Sequence, residues 1–323
     1  MLAPMVLFVF NRPCETRLML ESLKSNHLAS QSILYIFSDA PRTTDDVAKV
    51  AAVRQYIGLL TGFRHTIIEY AAAHRGLANS VIAGVDTVLR KHGKAIILED
   101  DLIVAGDFLS FMNQALRVFV DRKDIWSIAG YAPPLTLPGG YHADTYLLKR
   151  ASSHGWATWV NRWEKVDWDV SDYLLFRQNK VARRAFDETG NDMFRTLGLQ
   201  QAGRTNSWAI RFCYSQFRHS AYTVYPVESK VQINGYGAGA THSGLADKRH
   251  AVSLSARKLN ITPYISYNEE IAAVFRKHQD LRRVAKIGFF MRRYGLGYQL
   301  ARNSVLRFRL WGNILLKKLF LWL

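Results

Sequence analysis

Short apolar runs alternate with amphipathic segments along the first 130 residues. Runs that are continuously apolar, or that alternate, are typical of strands, and apolar residues at every third or fourth position are typical of helices covering a sheet. The predicted strands are Met5–Phe10, Ile33–Phe37, His65–Tyr70 and Ala95–Leu98. The predicted helices are Thr16–Ser25, Thr43 to about Leu60, Leu77–His92 and a segment marked by Phe108, Phe111, Met112, Ala115 and Phe119. These repeated units predict an α/β fold with a doubly wound, mostly parallel sheet.

The pattern changes after residue 130. Residues 131–265 contain frequent Pro, Gly and Trp, short strand-like runs and one clear helical segment at about Asn206–Ser220. We interpret this part as a half-domain built on the edge of the sheet. The predicted organisation is one domain over 1–266, with halves at 1–130 and 131–266, followed by a helical tail over 267–323.

The composition indicates a packed protein of a reducing compartment. Of 323 residues, 49% are hydrophobic, which is enough for a sizeable core. The two cysteines, Cys14 and Cys213, cannot form a disulfide framework or a cysteine zinc site. The apolar opening lacks a basic segment before it, and no apolar run reaches the roughly 18 residues that a spanning helix needs. We therefore expect a cytoplasmic protein.

The net charge of +17 lies mostly in the tail, because Asp280 is the only acid from Arg276 to the C-terminus. Such an excess favours polyanionic partners. The tail mixes Lys and Arg with Phe, Trp and Leu, which is typical of an amphipathic helix on an anionic membrane surface, here the inner face of the cell membrane. A helix packed on the domain or in an oligomer is the alternative. The charge also allows a nucleic-acid-binding protein, which ranks last among the interpretations because no nucleic-acid-binding motif is present, and nucleic acid is not expected as a partner.

Polar clusters follow each of the first four predicted strands. They are Asn11-Arg12, Ser38-Asp39, His74-Arg75-Gly76 and Glu99-Asp100-Asp101. Ligands bind at the carboxyl ends of the strands in a doubly wound sheet, so the four clusters are predicted to converge on one crevice.

This set of residues suits a nucleotide diphosphate. Arg12 can pair with phosphate oxygens, and Asp39 can accept hydrogen bonds from a base or a ribose. The acidic turn at Glu99-Asp100-Asp101 can hold Mg²⁺ or Mn²⁺, which prefer oxygen ligands. Each residue also has an ordinary interpretation: a solvated acidic turn, a turn cap at Asp39, a loop histidine at His74 and a surface ion pair at Arg12.

The order of these clusters resembles a known family. The first motifs are Phe-Asn-Arg-Pro at 10–13, Ser-Asp-Ala at 38–40, His-Arg-Gly at 74–76 and Ile-Leu-Glu-Asp-Asp-Leu at 97–102. They are followed by Gly-Trp-Ala-Thr-Trp at 155–159, Arg-Trp at 162–163, Ser-Trp-Ala-Ile-Arg at 207–211, Tyr-Pro at 225–226 and Gly-Ala-Thr-His at 239–242. The set, over about residues 4–250, resembles the GT-A glycosyltransferases related to N-acetylglucosaminyltransferase I, and still more the bacterial sugar transferases of polysaccharide biosynthesis.

The resemblance implies a GT-A-like (Rossmann-like) fold and a metal-dependent glycosyltransferase. Its donor would be a nucleotide-sugar, in the first place a UDP-sugar, and its acceptor a glycan or a lipid-linked glycan of cell-surface polysaccharide or lipopolysaccharide synthesis. A hexosyl or N-acetylhexosaminyl group would be transferred with inversion. Residues 1–130 would be the nucleotide-binding half and 131–266 the acceptor-side half.

The resemblance also implies a role for each matching residue. Asp101 would bind Mn²⁺ or Mg²⁺, Asp100 would lie near the ribose, and Glu99 would support the turn. Asp39 would contact the uracil, while Arg12 and His74 would contact the nucleotide or its phosphates. A loop at 234–244 would close over the donor, with Ala240 and Thr241 near the diphosphate.

The sequence departs from the family at the catalytic base. The family has a carboxylate just before the Ser-Trp or Asp-Trp pair, and this chain has Asn206 before Ser207-Trp208. An amide cannot accept a proton near neutral pH, so Asn206 is not a base. Either another acid, with Asp192 and Glu228 as the candidates, takes the role, or the chain is a catalytically impaired homologue that binds nucleotide-sugars.

Tryptophans are frequent in the second half, and aromatic rings can stack on sugar faces. Trp156 and Trp208 are predicted to contact the acceptor. Aromatic residues at this density also form cores and interfaces, which is the alternative.

Overall fold

The computed structural model describes residues 1–234, 252–255 and 257–280. The strands are β1 (Met5–Val9), β2 (Ile33–Ser38), β3 (His65–Tyr70), β4 (Lys94–Glu99), β5 (Leu102–Val104), β6 (Ile125–Ala129), β7 (Thr145–Leu148), β8 (Trp156–Trp159), β9 (Tyr222–Pro226) and β10 (Val231–Ile233). Eight of them form one sheet of order β3-β2-β1-β4-β8-β6-β9-β7, and β10 pairs with β5 in a second sheet.

Ten α-helices are present in the described residues. They are α1 (Pro13–Lys24), α2 (Thr44–Gly58), α3 (Leu77–His92), α4 (Phe108–Val118), α5 (Val160–Trp163), α6 (Tyr173–Gln178), α7 (Lys180–Phe186), α8 (Met193–Gln201), α9 (Trp208–Arg218) and α10 (Glu269–Gln279). Every element predicted in the first half is found, with ends that differ by at most a few residues.

Strand β1 shows why the first half is doubly wound. Its five residues are all buried. Met5, Leu7 and Val9 pack with residues of α1 and α2 on one face, whereas Val6 and Phe8 pack with α3 on the other. Helix α3 approaches closely because Gly84 has no side chain, and a Cβ there would lie 2.9 Å from the Phe8 ring. Both faces of the sheet are therefore covered, as predicted.

The sheet is mostly parallel, also as predicted. Strands β1–β2, β2–β3, β1–β4 and β6–β9 pair in parallel. Strand β8 lies between β4 and β6 and pairs antiparallel with both, and β7 pairs antiparallel with β9 at the edge. Of the strands of the second half, β9 and β7 extend the sheet at its edge, as expected, whereas β8 lies inside the sheet between two strands of the first half.

The second half contains more helix than the sequence analysis predicted. Besides α9, helices α6, α7 and α8 surround a separate cluster in which Phe176, Phe186, Leu197 and Tyr214 are buried. These helices span only six to nine residues. Segments so short carry too few turns to show a helical period, which explains why the pattern missed them.

The predicted boundary at 266 needs correction. The compact unit that contains the sheet runs from Met1 to His278. It includes α10, whose Ile271 and Phe275 are buried against Tyr146 and Tyr225. The first helix of the predicted tail therefore belongs to the domain, while residues 281–323 lie outside the described part of the chain. None of the helices in the described part has the length and apolar character needed to cross a membrane.

Candidate active site

The acidic turn and Arg12 meet at the carboxyl ends of β1 and β4. Asp100 and Asp101 follow directly after β4, and Arg12 follows β1, its parallel neighbour. The Arg12 Nη1 lies 3.0 Å from Asp101 Oδ2 and 3.4 Å from Asp100 Oδ1. The backbone N–H of Phe10 donates to Asp100 Oδ2 over 3.3 Å. Two of the four predicted clusters are thus in direct contact.

Three adjacent carboxyl groups lie in this turn beside a single guanidinium, that of Arg12, and the charged forms of two of them are disfavoured. Desolvation, followed by the charges of Asp101 and Asp100, raises the pKa of Glu99 to about 8. Desolvation also raises the pKa of Asp100 to about 7, with Arg12 opposing the shift and Asp101 adding to it. The electrostatic environment of the turn is therefore one in which a further cation is favourable.

Asp39 anchors the loop between β3 and α3. Its Oδ1 accepts from the backbone N–H groups of Ala40 and Arg75, each at 2.9 Å. Its Oδ2 accepts from the Gly76 N–H at 2.9 Å and lies 2.9 Å from Nδ1 of His74. The carboxylate is buried, and these four partners use its principal acceptor positions. In this structure Asp39 positions the loop, and its contact with uracil stays a prediction.

Two further side chains, which were not among the predicted site residues, join the ends of β1, β2 and β3. Arg54 of α2 donates to the backbone oxygens of Asp39 and Ala71, at 3.3 and 2.9 Å, and so fixes the ends of β2 and β3. The ring of Phe10 lies 5.2 Å from the ring of His74, which links the end of β1 to the β3–α3 loop. Phe10 could have been found from its place at the end of a buried strand, whereas no local pattern indicates Arg54.

The four clusters therefore lie along one edge of four adjacent strands, in the order β3-β2-β1-β4. Their convergence, which follows from the parallel pairing, agrees with the sequence analysis. The ligands assigned to Arg12, His74, Glu99, Asp100 and Asp101 stay predictions.

The side chains of the acidic turn supply only some of the ligands that a hard divalent cation needs. Asp101 supplies carboxylate oxygens at the crevice and is partly exposed. Among residues 1–234, 252–255 and 257–280, however, no group of three or more His, Cys, Asp or Glu is arranged to hold a metal. Mg²⁺ in particular is commonly bound by one or two carboxylates together with water and substrate phosphates. The residues fit a cation shared with a diphosphate, and do not fit an all-protein metal site.

Neither carboxylate candidate for the base is placed as a base should be. Asp192 forms a two-pronged ion pair with Arg150, at 2.8 and 3.0 Å. Glu228 accepts hydrogen bonds from Ser255 and from Arg257, the latter at 2.6 Å. The Ser255 bond, opposed by desolvation and aided by Arg257, lowers the pKa of Glu228. Both carboxylates are thus engaged in ion pairs within the fold, and for Glu228 the lowered pKa also makes it a weaker proton acceptor.

Asn206 is exposed and is held by two neighbours. Its Nδ2 donates to Asn79 Oδ1 over 3.3 Å, and its Oδ1 accepts from Arg211 Nη2 at 2.9 Å. Asn79 in turn donates to the backbone oxygen of Arg75 at 3.0 Å. Asn79, which the sequence analysis missed, thus connects the anchored loop to Asn206. Its position in the first turn of α3, at the carboxyl edge of the sheet, is the signal that could have identified it.

The prediction that Trp156 and Trp208 contact the acceptor is wrong for this structure. Their exposed fractions are only 1% and 3%, and their rings stack on each other at 4.7 Å. They pack with Phe212 and Trp163 in the core between the sheet and α9. The same apolar rings that could stack on a sugar are used here to fill the core.

The predicted donor loop lies mostly outside the described residues, including Ala240 and Thr241. The residues before it are described. Strand β10 pairs antiparallel with β5, which follows the acidic turn, and Asn234 N–H donates to the backbone oxygen of Asp101 at 2.7 Å. The start of the loop is therefore attached directly to the turn that carries Asp101.

Comparison with known proteins finds matches among solved structures alone. No protein-family model and no curated protein sequence matches the chain. A crystal structure of S. aureus TarS 1–349 aligns over 73% of this chain at 6% identity, with a TM-score of 0.40. The alignment spans 61% of that chain, so this chain covers less than two thirds of its length.

Two further similar structures bear the names of sugar transferases. Mannosyltransferase PcManGT from Pyrobaculum calidifontis, in complex with GDP-Man and Mn²⁺, aligns over 68% of each chain at 12% identity, with a TM-score of 0.38. Mouse xyloside xylosyltransferase 1 aligns over 70% of this chain and 85% of its own at 10% identity, with a TM-score of 0.36. These identities and TM-scores are too low to assign an activity to this chain.

Proposed function

We propose that this chain is a GT-A-like glycosyltransferase. It moves a hexosyl or N-acetylhexosaminyl group from a UDP-sugar, with Mn²⁺ or Mg²⁺, to a glycan or lipid-linked acceptor in cell-surface polysaccharide synthesis. The observation that supports this most directly is the position of Arg12, Asp100 and Asp101 beside the loop anchored by Asp39. That edge of four adjacent parallel strands is where α/β proteins bind nucleotides.

In this proposal the donor diphosphate lies against Arg12 and the acidic turn. Arg12 is within reach of both carboxylates and can pair with a phosphate oxygen on the same side of the turn. Asp39 contacts Nδ1 of His74, which leaves Nε2 of the ring for the nucleotide. Asp101 would hold the cation together with diphosphate oxygens and water. When bound, the cation would offset the charge that develops on the departing UDP.

Transfer with inversion requires attack by an acceptor hydroxyl on the anomeric carbon while the bond to UDP breaks. The hydroxyl proton must pass to a base. Asn206 has no basic atom, Asp192 is paired with Arg150, and Glu228 is held by Ser255 and Arg257. This observation favours a second candidate function, a nucleotide-sugar-binding homologue with little or no turnover.

We also propose that the tail binds an anionic membrane surface, where a lipid-linked acceptor would be found. The support is the charge of the sequence after Arg276. Basic residues near such a surface contribute about 1 kcal/mol each. Sedimentation with phosphatidylserine vesicles, compared with phosphatidylcholine vesicles, tests this for the full chain. Equal sedimentation with both vesicle types would contradict it.

A turnover assay distinguishes the two candidate functions. The full chain is incubated with Mn²⁺ and a panel of UDP-sugars, and released UDP and transferred sugar are measured. The matched variants are Asp101→Asn in the acidic turn and Asp121→Asn on an exposed loop. The leading proposal predicts turnover that Asp101→Asn removes and Asp121→Asn retains. UDP binding without turnover would support the second candidate, and neither binding nor turnover would refute both.

A further inference from the structure

A cavity of about 650 Å³ lies between α3 and the segment around α5. Asn79, Asp86 and Arg90 of α3 form one side of it. From Asn79 to Arg90 the helix rises roughly 16 Å, so the cavity is elongated along α3. Its volume falls within the range of roughly 300–1,000 Å³ that is usual for ligand sites.

The opposite side is built from the segment around α5. Trp163, Glu164 and Trp168 line it, and the two indole rings lie 4.6 Å apart at an angle of 58°. Trp163 is buried and fixes the floor, whereas Trp168 is partly exposed. A partly exposed ring held in place by a buried one is a suitable surface for stacking an apolar ligand face.

One end of the cavity is joined to the candidate active site. Asn79 lines the cavity and is also the residue that bonds both Arg75 of the anchored loop and Asn206. On the other side, Arg211 donates to Asn206 and to the backbone oxygen of Trp168, at 2.9 and 3.2 Å. A ligand bound here would therefore extend toward Asn206.

The charges of the lining indicate the kind of ligand. Asp86 and Glu164 outnumber Arg90, and Arg90 is already paired with Asp86 at 2.8 Å. A phosphorylated or acidic ligand would meet excess negative charge. Carboxylates, an amide and a partly exposed indole instead suit a neutral ligand with many hydroxyl groups and apolar ring faces, which is the chemistry of a neutral oligosaccharide.

We propose that this cavity binds the neutral oligosaccharide part of the acceptor and directs its end toward Asn206. The inference rests on the proposed function, because it identifies the acceptor of that reaction. The Trp168 indole stacks on a sugar ring, and Asp86 and Glu164 accept hydrogen bonds from sugar hydroxyls. The contact with acceptor thus lies at Trp168 rather than at Trp156 and Trp208.

The test uses the full chain on an array of neutral oligosaccharides, with heparin as an anionic probe. The strongest neutral binder is then titrated by calorimetry against Trp168→Ala and against the double variant Asp86→Asn/Glu164→Gln. The matched controls are Tyr264→Ala and Glu270→Gln, which replace exposed residues outside the cavity. UDP affinity with Mn²⁺ is measured for every variant.

We expect both cavity variants to lower the affinity for the neutral oligosaccharide by about tenfold or more, since each removes contacts with bound sugar. UDP affinity and heparin binding stay unchanged, and the controls behave as wild type. UDP binding without any neutral-glycan binding, or glycan binding that the cavity variants leave intact, overturns the inference but not the proposed function. If the cavity variants lose glycan binding but no variant and no wild-type chain binds UDP, the oligosaccharide site stands and the proposed use of a UDP-sugar is overturned.

Discussion

Replacing Asp39 with Asn tests whether this carboxylate holds the β3–α3 loop. The amide keeps the size of the side chain and one acceptor oxygen, which can still serve the N–H groups of Ala40 and Arg75. Its NH₂ group then faces the N–H of Gly76 and Nδ1 of His74. In the wild-type chain Oδ2 of the carboxylate contacts each of these nitrogens at 2.9 Å. Two charge-assisted contacts are lost, and two donors face each other.

The expected loss of stability follows from these contacts. A hydrogen bond to a charged group contributes about 1.5–3 kcal/mol, and a buried donor left without a partner costs about 1–3 kcal/mol. Gly76 is partly exposed, so water recovers some of this cost. We expect Asp39→Asn to lower the free energy of unfolding by about 2–3 kcal/mol. For the compact unit from Met1 to His278, whose entropy of unfolding is about 2.1 cal/mol/K per residue, that corresponds to a fall in Tm of roughly 3–5 °C.

Differential scanning calorimetry measures the effect, with Asp121→Asn on an exposed loop as the control. The loop also carries His74, so Asp39→Asn should also lower the affinity for UDP relative to the Asp121→Asn control. A Tm within about 2 °C of the control would refute the argument that Asp39 is a loop anchor. Unchanged Tm with a large loss of UDP affinity would instead assign Asp39 to direct contact with the nucleotide.

Three further predictions concern other parts of the chain. Asp192→Asn should lower Tm by a few degrees, because it removes the carboxylate that pairs with Arg150. A transfer rate of this variant within about threefold of the wild-type rate would exclude Asp192 as the base. A chain ending at Asp280 should keep the Tm of the domain. A chain ending at Asn268 loses α10 and the burial of its apolar face, which lowers the free energy of unfolding by about 3–6 kcal/mol. Equal Tm values for the two truncated chains would contradict the corrected boundary. Desolvation raises the pKa of Asp167, but hydrogen bonds from Ser171 and nearby backbone together outweigh it, so the pKa is lowered. The stability that Asp167 contributes is therefore present above its ordinary pKa of 3.8 and is lost as the pH falls through the folded pKa. The difference in Tm between wild type and Asp167→Asn should therefore narrow in acid; a difference independent of pH would contradict this assignment.

The first half of the fold could be predicted because its signals are local. Strands buried on both faces are apolar throughout, and helices α3 and α4 show the helical period over about three turns or more. Parallel pairing then places the four strand ends on one edge, so the convergence of the four clusters could be predicted, while the contact of Arg12 with Asp101 depends on the pairing of β1 with β4.

The parts that the sequence did not reveal depend on long-range contacts. Strand β8 enters the sheet between β4 and β6, and no local pattern encodes that position. Trp156 and Trp208 are far apart in the chain and stack in the core, where the same residue type could equally have faced a sugar. Asp192 was a candidate base by its position in the sequence, whereas in the fold it pairs with Arg150. The tryptophans could have served a core or a sugar site, and Asp192 could have served as a base or an ion-pair partner. The residues that they contact in the fold decide between these roles.

The central claim is that Asp101 and Arg12 bind a nucleotide diphosphate together with a divalent cation. Titration calorimetry of the full chain with UDP, in Mn²⁺ and in EDTA, tests it most directly, with Asp101→Asn and Asp121→Asn compared. The account predicts UDP binding that needs Mn²⁺, is abolished by Asp101→Asn and is unchanged by Asp121→Asn. Binding of equal strength in EDTA, or full retention of Mn²⁺-dependent binding by Asp101→Asn, would contradict it.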